Sequence, residues 1–174
     1  MNNQVYRLLD VIGEIVDDLP LTNKMNLTYG DIYQLDLRKQ SIFPILHVNV
    51  SGAALSGSML NTIQITIDVL AMDLIDKNDN DPRDINAQGN VTKSWYRSGY
   101  SNEIDVLNEM MFVQNRILAS FKRGQPTNEL IQLLDDSVTL QPFFEEFDNN
   151  LAGWQASYTL VMPNVDVKVC GTSY

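Results

Sequence analysis

The stretch Thr62-Ile-Gln-Ile-Thr-Ile-Asp-Val-Leu70 alternates apolar and polar side chains along its whole length. This period of two is typical of a half-buried β-strand, because successive side chains point to opposite faces of a sheet. The apolar phase changes after Val69, where Leu70, Met72 and Leu74 follow. The change predicts either a β-bulge near residues 69 and 70, which is the preferred interpretation, or a strand covered on both faces.

Two amphipathic helices are predicted on either side of this strand. Apolar residues recur at spacings of three and four over residues 4–19, so we predict a helix there, ended by Pro20. The same spacing continues from Ile104 to Phe121. This second helix is predicted to start near Asn102 and to stop before Gly124.

Further strands complete an α+β pattern. Alternation indicates strands at Tyr33–Leu37, Leu46–Val50 and Gly153–Met162. Weaker patterns indicate a short helical piece at Thr127–Leu134 and a brief strand at Ser137–Leu140. We therefore predict an α+β fold, with a mostly antiparallel sheet of four to five strands covered on one face by the two helices.

Three segments are predicted to connect these elements. Leu21–Gly30 is predicted to be a loop that leads into a strand, and Asp76–Gly99 a long polar insertion loop. Ser51–Asn61 is predicted to be a flexible connection of small residues, yet it carries the apolar residues Ala53, Ala54, Leu55, Met59 and Leu60. Such side chains are expected either to contact a neighbouring subunit or to fold back on the subunit's own core. Trp95 and Tyr96 are likewise expected either to contact a neighbouring subunit or to pack within their own subunit.

Composition narrows the classes of function. With 174 residues, one domain over residues 1–174 is expected. Twelve Lys and Arg against 22 Asp and Glu give a net charge of −10, which disfavours binding to nucleic acid or to a membrane surface. A single cysteine, Cys170, and a single histidine, His47, exclude a disulfide framework and a Cys/His zinc site within one subunit. Without a signal peptide or an apolar run of about 20 residues, a cytoplasmic location is expected.

No pattern predicts catalysis, a cofactor or a metal, and we expect no enzyme. None of the motifs GxGxxG, GxxxxGK[ST], HExxH or GxSxG occurs. Asp76–Asp81 begins like a calcium loop, but Asp81 and Ala87 stand where that loop needs Gly and Glu. His47 has no nucleophile motif near it and is expected at a surface or interface. The cluster Glu145, Glu146 and Asp148 is expected to diverge, and Cys170 has no CxxC partner.

The element order, the Ile63–Val69 strand and the segment NNLAGWQASYTLVMP at Asn149–Pro163 give the chain a family resemblance. Over most of its length it resembles the tail-terminator, or tail-completion, proteins, which form rings at the neck of tailed bacteriophages. Seventeen asparagines and polar loops are also similar to virion proteins of crAss-like phages of gut Bacteroidota. The family's usual chain is shorter around Asp76–Gly99, so partners are expected to differ there.

The resemblance implies a homo-oligomeric ring at the head-to-tail junction of the virion, with subunits joined through sheet edges and loops. The implied partners are further copies of the chain, portal or neck proteins and tail proteins, with no membrane. Double-stranded DNA would pass through without specific binding, because an acidic wall does not retain phosphates. Since like charges oppose assembly, we expect apolar subunit contacts, with these candidates: Ala53, Leu55, Met59, Leu60, Trp95 and Tyr96. The alternative is a small soluble binding module, calcium-dependent through Asp76–Asp81.

Overall fold

Two helices and one sheet make up the described part of the chain. The computed structural model describes residues 4–21, 23–32, 42–55, 62–75, 102–123, 131–135, 137–144 and 150–163. The elements in chain order are α1 (Gln4–Asp17), β1 (Asn26–Tyr29), β2 (Ile45–Leu55), β3 (Thr62–Leu74), α2 (Glu103–Arg123), β4 (Gln132–Leu133), β5 (Leu140–Phe144) and β6 (Leu151–Pro163). The predicted α+β fold with a mostly antiparallel sheet is confirmed, although the described sheet has six strands rather than four to five.

The sheet is built around its two longest strands. β3 and β6 pair antiparallel along their whole lengths, from Thr62 opposite Pro163 to Leu74 opposite Leu151. β2 pairs with the other side of β3, and β1 pairs with β2 in the one parallel pair of the described sheet. β5 and β4 lie one after the other along the far side of β6. The strand order places β2 beyond β3 on one side, and the short β1 is the one described strand outside it.

The main hydrophobic core lies between the helices and one face of the sheet. This helix-side face is formed by alternate residues of β3, such as Ile65 and Ile67, and of β6, such as Tyr158. Fully buried partners from the helices include Leu8, Ile12, Met110, Val113 and Ile117. Each such side chain stabilises the fold by about 1.5–3 kcal/mol, so the two helical stripes fix both helices on this face.

A second, smaller hydrophobic cluster covers part of the opposite face. Its buried members are Ile45, Met72, Phe143 and Leu151. Leu70 and Leu74 pack against it, so the phase change after Val69 places apolar side chains on both faces of β3. β3 keeps its register through residues 69 and 70, and the prediction of a bulge there is wrong. The register shift lies in β2 instead, between Val50 and Gly52.

Several weaker predictions change at the sheet edges. Leu21–Gly30 contains β1, which pairs with β2. The helical piece at Thr127–Leu134 is wrong where it is described, because its residues 132 and 133 pair with β6 as β4. The strand predicted at Ser137–Leu140 begins only at its last residue and continues as β5. The predicted strand at Tyr33–Leu37 and the insertion loop at Asp76–Gly99 lie outside the described residues.

A buried polar network holds α2 on the sheet. The side-chain amide of Gln114 donates to the carbonyls of Val69 and Trp154, both at 3.0 Å. Its oxygen accepts from the Tyr158 hydroxyl at 2.7 Å. The Trp154 indole N–H donates to the Leu107 carbonyl at 2.8 Å. Burial raises the pKa of Tyr158, so its hydroxyl keeps the proton that it donates.

Candidate functional site

The outer side of β2 beyond Val48 is the strongest candidate for a binding surface. β1 pairs only with Ile45 to Val48, and the N–H of Gly30 then donates to the Val48 carbonyl at 3.0 Å. Gly30 adopts a φ of +103°, a left-handed conformation that glycine adopts without steric cost. This turn ends β1, and no described strand pairs with the outer side of β2 after it. We call residues Asn49–Leu55 the outer β2 edge.

Apolar side chains on this edge are exposed although they lie on the helix-side face. Val50 is 40% exposed and Leu55 is 74% exposed. Ala53, between them, is also exposed. Val50 pairs with Ile67, and Ala53 with Ile65, both of which are buried in the main core. The edge therefore continues the apolar face of the sheet past the part that the described core covers.

Backbone groups on this edge are not paired by any described strand. Alternate residues of a strand direct their N–H and C=O groups to the same side, so Val50 directs its groups outward as Val48 does. Unpaired groups of this kind form a template for an added strand unless charge or proline blocks it. Asn49–Leu55 contains no charged residue and no proline. The bulge after Val50 interrupts the edge locally, and β2 stays paired with β3 on both sides of it.

The opposite edge of the sheet is less suited to pairing. It is formed by β4 and β5, which are short. β5 contains Pro142, which has no N–H to donate and is tolerated in sheets mainly on edge strands. Leu134 and Phe144 are exposed near this edge. The two edges are thus unequal, and the outer β2 edge is the longer one without a proline.

Only part of the predicted interface lies in the described residues. Ala53 and Leu55 belong to β2, so the prediction of a flexible connection is wrong for residues 51–55, which pair with β3 past the bulge. Their exposure argues against the alternative in which these two side chains fold back on the core. The other four candidates lie outside the described residues: Met59, Leu60, Trp95 and Tyr96. Sequence reasoning missed Val50, because its alternation with Val48 indicated a buried side chain.

His47 is buried rather than at a surface or interface, as its 1% exposure shows. Its Nε2 lies 2.9 Å from the carbonyl oxygen of Gly30, which can only accept, so Nε2 carries the proton. Nδ1 then accepts from the Thr28 hydroxyl at 3.0 Å. Burial lowers the pKa of His47, against the opposing effects of the Gly30 carbonyl and Asp31. The neutral ring fixes β1 and the following turn against β2.

The other residues singled out for chemistry are not brought together in the described structure. Asp76–Asp81, Glu145–Asp148 and Cys170 all lie outside it. Where side chains are described, no three His, Cys, Asp or Glu residues are placed to share a metal ion. Neither described helix has the length and apolar character needed to cross a bilayer.

No protein-family model matches the chain. No curated protein matches it either. The outer β2 edge and the net charge are therefore the main features of the chain that bear on its function.

Proposed function

We propose that this chain is a non-enzymatic virion protein that forms a homo-oligomeric ring at the head-to-tail junction of a tailed phage, in the manner of a tail terminator. The observation that carries the proposal is the outer β2 edge, an uncharged strand edge with Val50 and Leu55 exposed on it. A protein that acts by self-association needs such a surface.

The energetics of this edge suit assembly of an acidic chain. Subunits of charge −10 repel one another, so the contact must supply apolar burial and backbone hydrogen bonds. Burying a Leu55 that is 74% exposed contributes about 1–2 kcal/mol. Each added backbone hydrogen bond contributes about 0.5–1.5 kcal/mol. One edge contact therefore supplies a few kcal/mol, and a closed ring repeats that contact between every pair of neighbours.

The charge distribution on the sheet suits passage of DNA. None of the described strands contains Lys or Arg, whereas β3 contains Asp68 and Asp73. Near the outer β2 edge the face away from the helices is polar, and the Ser157 hydroxyl donates to Asp68 there. A surface without cations releases no counterions on meeting phosphates, so it does not retain DNA. We assign this polar face to the channel side of the ring.

The test combines particle composition with solution mass. We expect the chain in purified particles, and a ring-sized mass by size-exclusion chromatography with light scattering, alone or on adding neck proteins. Leu55→Asp should abolish the ring while its unfolding free energy changes by less than about 0.5 kcal/mol, because the site is exposed. Tyr6→Asp is the matched control, since Tyr6 is 59% exposed on α1, and it should assemble like the parent.

Two results would overturn the proposal. One is absence of the chain from purified particles despite abundance in infected cells. The other is a Leu55→Asp chain that assembles as well as the parent. A calcium titration by calorimetry adds a separate arm, because a stoichiometric heat signal would favour the calcium-dependent binding module instead.

A further inference from the structure

We infer that the outer β2 edge of one subunit receives residues 164–174 of a neighbouring copy, which add to the sheet as a strand beside β2. The inference rests on the proposed self-association and names the segment that completes the contact. In this contact the partner's residues 164–174 pair with the outer β2 edge, and the valines of that segment face the helix side.

β6 and β2 end at the same end of the sheet. β6 ends at Pro163, which pairs with Thr62 at the start of β3. β2 ends at Leu55, which pairs with Ile63, the next residue of β3. The point at which residues 164–174 begin is therefore at the same end of the sheet as Leu55.

The other segments outside the described residues are placed less well. Residues 76–101 follow Ile75, whose N–H donates to the Asn150 carbonyl at the far end of the sheet. Residues 56–61 join β2 directly to β3. Residues 33–41 are flanked on both sides by isoleucines that pack against the second cluster on the opposite face. Of these four segments, only residues 164–174 follow a strand that ends at the same end of the sheet as Leu55 without already connecting β2.

The sequence pattern of residues 165–169 matches that of the outer β2 edge. Valines at 165, 167 and 169 alternate with Asp166 and Lys168, which is the period-two pattern of a half-buried strand. The outer β2 edge has the same division, with exposed apolar side chains on the helix-side face and Asn49 on the polar face. A strand that turns its valines to the helix side extends both faces at once. Strand addition to a sheet edge gains affinity from the main chain and selectivity from alternate side chains.

Distance makes the partner a second copy rather than the same chain. The outer side of β2 lies three strand spacings from β6, across β3 and β2, which is about 14 Å at roughly 4.8 Å per spacing. Val165, the first valine of the pattern, is two residues beyond Pro163. Two residues span at most about 7 Å, at about 3.6 Å each. A strand that begins at Val165 therefore cannot lie beside β2 of its own sheet, whereas it can lie beside β2 of a neighbouring copy.

Such a contact is compatible with a ring. Each copy gives one segment and receives another on a different surface. When each copy gives its segment to the next, the contact is head-to-tail and closes into a ring if the rotation between copies allows it. Two copies that exchange segments reciprocally would form a two-fold dimer instead.

Disulfide trapping tests the inferred contact in the full chain. Cys170 is the only cysteine and falls in the same alternate set as Asp166 and Lys168, so it should face the polar side. Asn49→Cys or Ala54→Cys, both on the polar side of the outer β2 edge, should give disulfide-linked dimers and larger species on oxidation. Ala53→Cys, one residue along but on the helix-side face, is the matched control and should give several-fold less. A disulfide confined to the monomer, or none with either variant, overturns the inference.

A pair of substitutions in residues 164–174 tests the same contact without cysteine. Val167→Asp should abolish assembly because it places a charge on the apolar side of the added strand. Lys168→Asp introduces the same residue one position along, on the polar side, and should leave assembly largely intact. Equal behaviour of the two variants would contradict the inferred orientation.

The two proposals fail separately. A ring that persists with Val167→Asp and forms no Cys170 crosslink overturns the strand addition and leaves the proposed function standing. Intermolecular crosslinks through Cys170, in a chain that is absent from purified particles, support the strand addition and overturn the virion assignment.

Discussion

Gln114 and Tyr158 allow a quantitative test of how α2 is held on the sheet. Gln114 is 1% exposed, and its side chain makes three hydrogen bonds, to Val69, Trp154 and Tyr158. Gln114→Met keeps a similar volume and removes all three. At about 0.5–1.5 kcal/mol for each bond, we expect the unfolding free energy to fall by about 2–4 kcal/mol.

The partner substitution makes the test specific to one bond. Tyr158→Phe removes the hydroxyl and leaves the buried amide oxygen of Gln114 without that donor, so we expect a loss of about 1–3 kcal/mol. The double variant loses the shared bond only once. Its cost should therefore be about 1 kcal/mol smaller than the sum of the two single costs. Urea unfolding of the four chains, followed by circular dichroism, measures the difference.

Additive costs, within about 0.3 kcal/mol, would refute this account of the network. Tyr6→Phe combined with Gln114→Met is the control, because Tyr6 is exposed on α1 and shares none of the three bonds. That pair should add.

Three further predictions concern stability and pH. Gly153→Ala should destabilise by about 2–4 kcal/mol in urea, because a Cβ there would overlap the Ala71 carbonyl oxygen of β3; a cost below about 0.5 kcal/mol would contradict this. The NMR titration midpoint of His47, the only histidine, should lie below 6.5 because the ring is buried. The stability that the neutral ring contributes should therefore be lost as pH falls below 6.5. A midpoint above 6.5 would be inconsistent with the burial of the ring. Burial raises the pKa of Asp73, so the native state favours its protonated form. Asp73→Asn, which keeps the acceptor for the Leu74 N–H, should therefore raise the thermal midpoint at pH 7, and the gain should vanish at pH 3.

The sequence predicts the long elements because their hydrophobic periods are regular. Both helices and the strands at β3 and β6 are found within a few residues of their predicted bounds. The change of phase after Val69 has two physical causes that a sequence alone does not separate. Here the cause is a second cluster, which needs Phe143 and Leu151 from distant parts of the chain. Long-range partners of this kind leave no periodic signal next to the strand that they cover.

Short elements and the candidate site are harder to predict for the same reason. β1 has four residues and is defined by its parallel pairing with β2. The burial of His47 depends on it, since the ring bonds to Thr28 and Gly30. Gly153 has the appearance of a strand boundary in the sequence but lies inside β6, where β3 passes too close for a side chain. The apolar character of Ala53 and Leu55 could be read from the sequence, whereas the end of β1 that exposes the edge could not.

The unequal cover of β3 has a mechanical consequence. Its last residues are held by clusters on both faces, whereas among the described residues its first residues have apolar cover on the helix side alone. Amide protons should accordingly exchange more slowly towards Leu74 than towards Thr62, giving a gradient of rigidity along one strand. The end near Thr62 lies beside the outer β2 edge. The curvature of the sheet can therefore adjust to a neighbour there, while the end near Leu74 keeps its shape.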